Sequence, residues 1–487
     1  MNPGWDFHAI APIIIVSATI VFVLIADFFF EYRGRFRTQQ IASFGVLAAM
    51  IPVITLAVDG SDRVMFGGGF TVDAYSLVFQ GFFLAAAYVS MLLSVDYIGD
   101  GDYYQGEFYV LLLTSLLGMM VMASSRDLIS IFVALETISI PTFVLAGWRK
   151  HDPKSNEAAI KYYLIGVMSS AVMLYGMSLV FGLTGSTLLQ DIARAVRTID
   201  EPLLLVAGFL TIVGFAFKIS AVPFHFWAPD TYEGAPTPVT AFLSVSSKAG
   251  GFVALLSIVY FGFFPNEGMW QPVIWGLAAA SLILGNLVAL RQTNIVRMLA
   301  YSSIAQGGFI LVPFAVAADG GAARSSLQAV VIYILIYGAM NLGAFAIVIS
   351  LARRTRSAEI TSFAGLGQYA PGMALLMSVF LFSLAGIPPF AGWFAKFTIF
   401  RAALDANTPA ATVLGVLAAV SSVVAFFYYA RVAREIWFHP VPENADVSPM
   451  RTPIALNAAV VICAAIVIAV GVYPQVFGRL GELASGG

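Results

Sequence analysis

A chain of 487 residues with 60% hydrophobic and only 11% charged side chains is not a soluble globule, since too few polar groups remain to cover its surface. A net charge of −2 favours no nucleic-acid partner, and the lone Cys463, set in an apolar run, excludes an internal disulfide. The class left is a polytopic, all-α membrane protein.

Apolar runs of about 18 residues or more, bounded by charge, Gly or Pro, read as spans. They fall at 9–29, 40–58, 74–98, 107–124, 127–148, 158–183, 202–222, 237–262, 272–290, 293–316, 325–351, 371–400, 411–436 and 452–473. That is about fourteen transmembrane helices, so both termini share one side. The opening MNPGWDFH lacks the basic stretch and cleavage site of a signal peptide, which predicts that the first run is retained. Loops after the odd-numbered runs carry Arg33, Arg35, Arg37, Arg149, Lys150, Lys154, Arg291, Arg297, Arg353, Arg354, Arg356, Arg431, Arg434 and Arg451. The opposite face has about half as many basic residues, so the positive-inside rule puts both termini outside, in the periplasm. Between the sixth and seventh runs, TLLQDIARAVRTID (187–200) has the spacing of a short amphipathic helix on the outer surface.

The charges within the spans are the informative ones. Of six lysines, Lys161, Lys218, Lys248 and Lys396 lie inside apolar runs. Each costs about 2.5–3.5 kcal/mol at mid-membrane, so such residues mark ion or proton paths by default. Lys218 lies deep in the seventh run, before a break at Pro223, and Lys248 lies in the helix that follows a polar turn. Glu136 sits midway along the fifth run, ahead of a kinking Pro141, and an ionised carboxylate there requires a partner, with Lys161 and Lys218 as candidates. Lys161 is also close enough to Glu157 to serve as a helix-end anchor. His225, just after the break in PFHFW, titrates near neutrality and suits a proton path. The hydroxyls of Thr240, Ser244, Ser246, Ser247, Tyr301, Ser302 and Ser303 are available to line water between the lysines.

A second break resembles the first: FSLAGIPPFAGWFAKF (382–397) against FKISAVPFHFWAPD (217–230). Pairing Pro223 with Pro388 in the double proline Pro388–Pro389 gives an offset of 165, from the seventh span to the twelfth. An odd separation inverts the second copy, and inverted repeats with discontinuous helices belong to transporters. The expected organisation is therefore a three-helix segment (1–106), a five-helix repeat (107–262), its inverted copy (263–436) and a C-terminal helix (437–487). Under that offset Glu136 maps to Tyr301 and Lys218 to Ser383, so the charges do not repeat with the scaffold.

The sequence has no Walker A motif, no metal-spaced Cys/His cluster and no c-type haem motif, and GLGQYA (365–370) lacks the flanking strand of a dinucleotide turn. FKISAVPFHFWAPDTYEGAPTPVTAFLSVSSKAG resembles the signature of the antiporter-like membrane subunits of bacterial proton-pumping NADH–quinone oxidoreductase, respiratory complex I. Lysine, rather than the usual histidine, in the helix after the signature resembles the N type. The resemblance implies that Glu136 and Lys218 are a switching ion pair, Lys248 a central relay and Lys396 the output lysine. It further implies that NADH, FMN, iron–sulfur clusters and quinone belong to other subunits, with no cofactor in this chain. The implied partners are a neighbouring antiporter-like subunit, small membrane subunits, the lateral helix of the largest antiporter-like subunit, and lipid, in the bacterial inner membrane. The alternative is a subunit of a multi-subunit cation/proton antiporter.

Overall fold

The computed structural model describes residues 6–29, 36–99, 105–442, 446–448 and 452–486. Arg33, Arg35 and Arg451 of the loop-charge pattern lie outside the described residues. Helices α1 (Phe7–Phe29), α2 (Phe36–Asp59), α3 (Ala74–Gly99), α4 (Gln105–Ser124), α5 (Leu128–Ala146) and α6 (Pro153–Thr184) come first, with a hairpin of β1 (Arg63–Met65) and β2 (Phe70–Val72) between α2 and α3. This hairpin and three isolated β-bridges are the departures from an all-α reading among the described residues. The middle of the chain holds α7 (Leu189–Ala195), α8 (Pro202–Lys218), α9 (Trp227–Gly234), α10 (Thr237–Phe242), α11 (Lys248–Ile258), α12 (Glu267–Ala289) and α13 (Ile295–Ala315). Then follow α14 (Ala323–Thr355), the one-turn α15 (Leu366–Tyr369), α16 (Pro371–Ala385), α17 (Gly392–Ala406), α18 (Pro409–Phe438), α19 (Ile454–Val472) and α20 (Gln475–Ala484).

Twelve helices among the described residues are long and apolar enough to cross a membrane, α10 and α11 counting as one. The shorter apolar helices α8 and α16 account for the two remaining sequence runs. Closely spaced runs separate where a polar side chain caps the next helix: Asp127 accepts from the Ile129 and Ser130 amides, and Asn294 from those of Val296 and Arg297. The apolar central stretches of α14 and of the helix running from Thr237 to Phe263 are wholly buried. α1, α6 and α18 instead turn Phe22, Tyr175 and Phe427 outward, as a lipid-facing ring requires. α12 and α13 approach backbone to backbone, since a Cβ on Gly285 would come within 2.7 Å of the Ala305 nitrogen.

Two expectations change. The seventh run is shorter than its apolar stretch, because α8 stops at Lys218 rather than at Pro223. The stop is a Schellman cap: Ser220 is left-handed (φ 58), Ala221 N–H bonds Ala216 O at 2.8 Å and Ser220 N–H bonds Phe217 O at 2.9 Å. α7 does not present its apolar side to lipid, since Leu189, Ile192 and Val196 are buried within the protein, where Leu189 meets Gly262.

α16 ends in the same way. Gly386 is left-handed (φ 91), Ile387 N–H bonds Phe382 O at 3.0 Å and Gly386 N–H bonds Ser383 O at 2.9 Å. Matching the caps pairs Ser220 with Gly386, Pro223 with Pro389 and Trp227 with Trp393, an offset of 166. The sequence register was one residue short because it took the first proline of Pro388–Pro389. In the corrected register Glu136 falls on Ser302 and Lys218 on Leu384.

Candidate functional site: a line of buried lysines

Lys218 is the last residue of α8 and is 2% exposed. Its ammonium donates to Ser139 Oγ at 2.9 Å and to Tyr162 Oη at 3.3 Å. Tyr162 also pairs with Thr142 Oγ1 at 3.2 Å, and its ring stacks on Trp227 at 4.3 Å. The cage is therefore built by α5, α6 and α9, and it is made of hydroxyls. Glu136 lies one turn before Ser139 on α5, half-buried, and accepts from Ser170 Oγ on α6 at 2.5 Å. The expected direct ion pair is absent among the described residues: Ser139 stands between the carboxylate's helix turn and the ammonium.

Lys161 does not pair with Glu136 and instead anchors near the start of its helix. It bonds Glu157 at 2.7 Å and Asp230 at 2.8 Å, and Asp230 also accepts from Arg297 at 2.9 Å. Arg297 reaches Glu233 at 2.8 Å, and Glu233 reaches Lys154 at 3.3 Å. This partly exposed network ties α9 to α6 and α13, clamping the segment after the first break.

Lys218 and Lys248 are brought together through glycine. A Cβ on Gly251, one turn past Lys248, would fall 2.9 Å from Lys218 Cγ, so the lysine stem lies on the bare backbone of α11. A π-helical turn, Leu243–Ser247, immediately precedes Lys248, and π-turns are frequent at functional sites. The Lys248 ammonium donates to Ser303 Oγ at 2.6 Å and Ser303 O at 2.9 Å, while Tyr337 donates to the same Oγ at 2.9 Å.

One turn further along α13, the Gln306 amide donates to Leu384 O at 3.0 Å and Tyr429 Oη at 3.2 Å and accepts from Tyr333 Oη. The neighbouring carbonyl, Ala385 O, receives the Lys396 ammonium at 2.7 Å. Lys396, on α17, is 5% exposed, and its ammonium lies 4.5 Å from the centre of the Phe309 ring. Its stem occupies the space a Cβ on Gly386 would fill, 2.6 Å from Cδ.

Both outlying lysines thus sit at the carbonyl end of a half-helix, Lys218 on its own and Lys396 on its neighbour's. Unpaired terminal carbonyls carry partial negative charge, which suits a cation. His225 is buried beside Phe226, with a ring contact of 4.6 Å, and its Nδ1 has no partner among the described residues. Tyr301 is half-buried and packs on the apolar core, away from its neighbours Ser302 and Ser303. Ser302 pairs with Tyr429 at 2.5 Å, Ser244 accepts from Asn341 Nδ2 at 2.8 Å, and Thr240 bonds Tyr232 O at 2.8 Å. Ser220 Oγ, Tyr232 Oη, Ser246 Oγ and Asn341 Oδ1 are buried without a hydrogen-bond partner among the described residues. No group of side chains able to hold a metal occurs among the described residues. Ser139, Tyr162, Ser170, Gln306, Tyr333 and Tyr429 were not singled out in the sequence. Uncharged polar residues within apolar helices are too common to select without knowing what faces them.

A broken-helix scaffold around an internal line of lysines defines a multi-pass, antiporter-like membrane protein. Residues 125–422 match the family model described as NADH:quinone oxidoreductase/Mrp antiporter, TM. The chain is 44% identical to NAD(P)H-quinone oxidoreductase subunit 2 of Synechococcus elongatus, over 86% of this chain and 79% of that protein. It is 38% identical to NADH-quinone oxidoreductase subunit N of Trichlorobacter lovleyi, over 98% of this chain and 97% of that protein. Among solved structures, a chain of respiratory complex I from Thermus thermophilus superposes with a TM-score of 0.80 at 30% identity, covering 98% of this chain and all of that one. The chain belongs to the NADH:quinone oxidoreductase/Mrp antiporter membrane-subunit family.

Proposed function

We propose that this chain is the proton-translocating, antiporter-like N-type subunit of a bacterial NADH–quinone oxidoreductase. It moves protons while electrons pass from NADH to quinone in other subunits, which hold the FMN and iron–sulfur clusters. The observation that carries this reading is a succession of buried polar groups: Glu136 one helical turn from Ser139, Ser139 bonded to Lys218, Lys218 packed on Gly251 one turn past Lys248, Lys248 bonded to Ser303, and Gln306 one turn further on, bonded to Leu384 O beside the Ala385 carbonyl that holds Lys396. Residues 107–262 form the input half and 263–436 the output half, flanked by 1–106 and 437–487. Protons enter near Lys218 from the cytoplasm, pass Lys248 and leave past Lys396. The unpartnered oxygens of Ser220, Tyr232 and Ser246 support internal water on that route, because buried polar atoms are bonded to protein or to ordered water. The chain lies in the inner membrane with both termini periplasmic, beside another antiporter-like subunit, small membrane subunits and the lateral helix of the largest one.

The switch between Glu136 and Lys218 takes a form the sequence did not suggest. Each group has its own hydroxyl partner, so this arrangement is the separated state, and the ion pair forms when Ser139 ceases to intervene. The test is NADH-driven proton pumping in inverted membrane vesicles carrying Lys248→Ala at normal subunit levels. Loss of pumping is expected, and undiminished pumping would overturn the relay.

A further inference from the structure

The line of groups is interrupted once by a side chain that does not carry protons, and that interruption lies between Lys248 and Lys396. Gln306 is 1% exposed on α13, one turn after Ser303, the partner of Lys248. Its orientation follows from chemistry: Leu384 O only accepts, so the atom facing it is Nε2, which leaves Oε1 for the Tyr333 hydroxyl. The amide N–H groups go to Leu384 O and Tyr429 Oη, and Oε1 takes the Tyr333 proton. The partners come from α14, α16 and α18, so three helices fix one planar group. Beyond it, the Lys396 ammonium meets only the Ala385 carbonyl and the Phe309 ring among the contacts of the described residues. Phe309 lies one turn past Gln306 and also stacks on Tyr333 at 6.4 Å. An amide neither gains nor loses a proton near neutral pH, and one with both donors engaged cannot pass a proton along a hydroxyl chain.

We propose that Gln306 is the gate of the output half: a positioning residue that holds the Lys248-to-Lys396 passage shut, with Tyr333 and Tyr429 as its latches. This rests on the relay reading above and adds where the relay is closed. Opening requires the amide to leave Leu384 O, the penultimate carbonyl of α16, whose neighbour Ala385 O holds Lys396. Movement at this helix end therefore releases the gate and the output lysine together.

The experiment measures two quantities in inverted vesicles containing the assembled complex: protons pumped per NADH oxidised, and passive proton leak down an imposed pH gradient without NADH. Gln306→Ala removes the amide and admits water; its leak is expected to rise by about tenfold, the equivalent of losing one or two buried hydrogen bonds, and its pumping ratio to fall. Gln306→Leu fills the space with an apolar group; pumping is expected to fall at least about twofold with no rise in leak. Tyr429→Phe frees one amide donor, and its leak is expected to rise less than in Gln306→Ala; it also serves if that variant does not assemble. Wild-type leak and pumping ratio in the assembled Gln306 and Tyr429 variants overturn the gate. A purely structural role is shown by electron transfer, pumping and subunit level falling in proportion with no change in leak, and this too overturns it. Lys248→Ala and Lys396→Ala run in parallel separate the two ideas. If they abolish pumping while the gate variants behave as wild type, the relay stands without this gate; if they pump normally, the relay itself fails.

Discussion

Ser139→Ala is the sharpest test of how Lys218, the proposed input lysine, is held. The substitution deletes one oxygen, the acceptor of the Lys218 ammonium at 2.9 Å, and leaves the longer contact to Tyr162 at 3.3 Å. Ser139 Oγ also donates to Leu135 O at 2.7 Å, but that carbonyl keeps its helical amide partner, so little else is lost. A hydrogen bond to a charged group contributes about 1.5–3 kcal/mol, and burial of both Ser139 and Lys218 favours the upper part of that range. The ammonium's occupancy of this position should then fall at least about tenfold. The assay is quenching of a pH-sensitive dye by inverted vesicles during NADH oxidation, normalised to NADH consumed and to the amount of assembled subunit. Severalfold less pumping is expected for Ser139→Ala, with recovery in Ser139→Thr, which restores the hydroxyl. Equal losses in both variants, or wild-type pumping in the alanine variant, would refute the hydroxyl cage as the resting place of Lys218.

Other perturbations address the remaining parts of the scaffold. Ser170→Ala removes the hydroxyl that holds Glu136 and should free the carboxylate toward Lys218, changing the pumping ratio while leaving subunit levels intact; quantitative immunoblots check the latter. Gly392→Ala should abolish assembly, because its Cβ would lie 1.7 Å from Ser383 O and backbone must move; accumulation of the subunit in purified membranes decides it. Asp230→Asn breaks two ion pairs that are each worth about 0.2–1 kcal/mol at this exposure, so a stability loss of about 1 kcal/mol is expected by thermal unfolding of the assembled complex. Burial works against ionisation of Asp230, yet Lys161 and Arg297 hold its carboxyl below the ordinary 3.8. A lowered value means that the clamp's contribution is complete above the ordinary value and disappears as pH falls through the folded one. The difference between wild type and Asp230→Asn should accordingly be flat from pH 8 to 5, and a difference that vanishes within that window would exclude the clamp.

Hydropathy made the spans legible because the membrane imposes one long apolar run per crossing. Five charges expensive enough to stand out, Glu136, Lys161, Lys218, Lys248 and Lys396, could be selected from their positions inside apolar runs. Their partners could not. Ser139 looks like any small helical residue until α8 presents Lys218 to it, and Gln306 acquires meaning only from Tyr333, Leu384 and Tyr429, which lie 27 to 123 residues away in sequence. The residues alone leave Glu136 to pair with Lys161 or Lys218, and the resemblance implies Lys218; the structure gives Glu136 and Lys218 a hydroxyl each instead, which solvates charge without fixing a pair. Helix ends were the least legible feature. Apolar character continues through Ile219, Ala221 and Val222, so nothing in hydropathy stops α8 at Lys218, and the stop is set by the left-handed Ser220. The same cap at Gly386 supplied the register that the double proline had obscured.

That shared cap explains how two lysines can be kept inside a membrane with no carboxylate in contact. Ending a helix at mid-depth exposes carbonyls whose combined partial charge offsets about 1–2 kcal/mol for a nearby buried cation, set against an insertion cost of about 2.5–3.5 kcal/mol. Lys218 occupies the final position of its own half-helix, and its ammonium reaches across to Ser139 and Tyr162. Lys396 approaches the equivalent end from α17 and bonds Ala385 O directly, with no hydroxyl in contact. The acid is likewise one-sided: in the cap-based register Glu136 corresponds to Ser302, which is bonded to Tyr429. An input lysine within one helical turn of a carboxylate's helix can be charged or discharged by that carboxylate's movement. An output lysine held only by carbonyls leaves no unpaired acid behind when its proton departs. On the proposed path the asymmetry of the charges, laid over a symmetric pair of breaks, is what gives the line a direction.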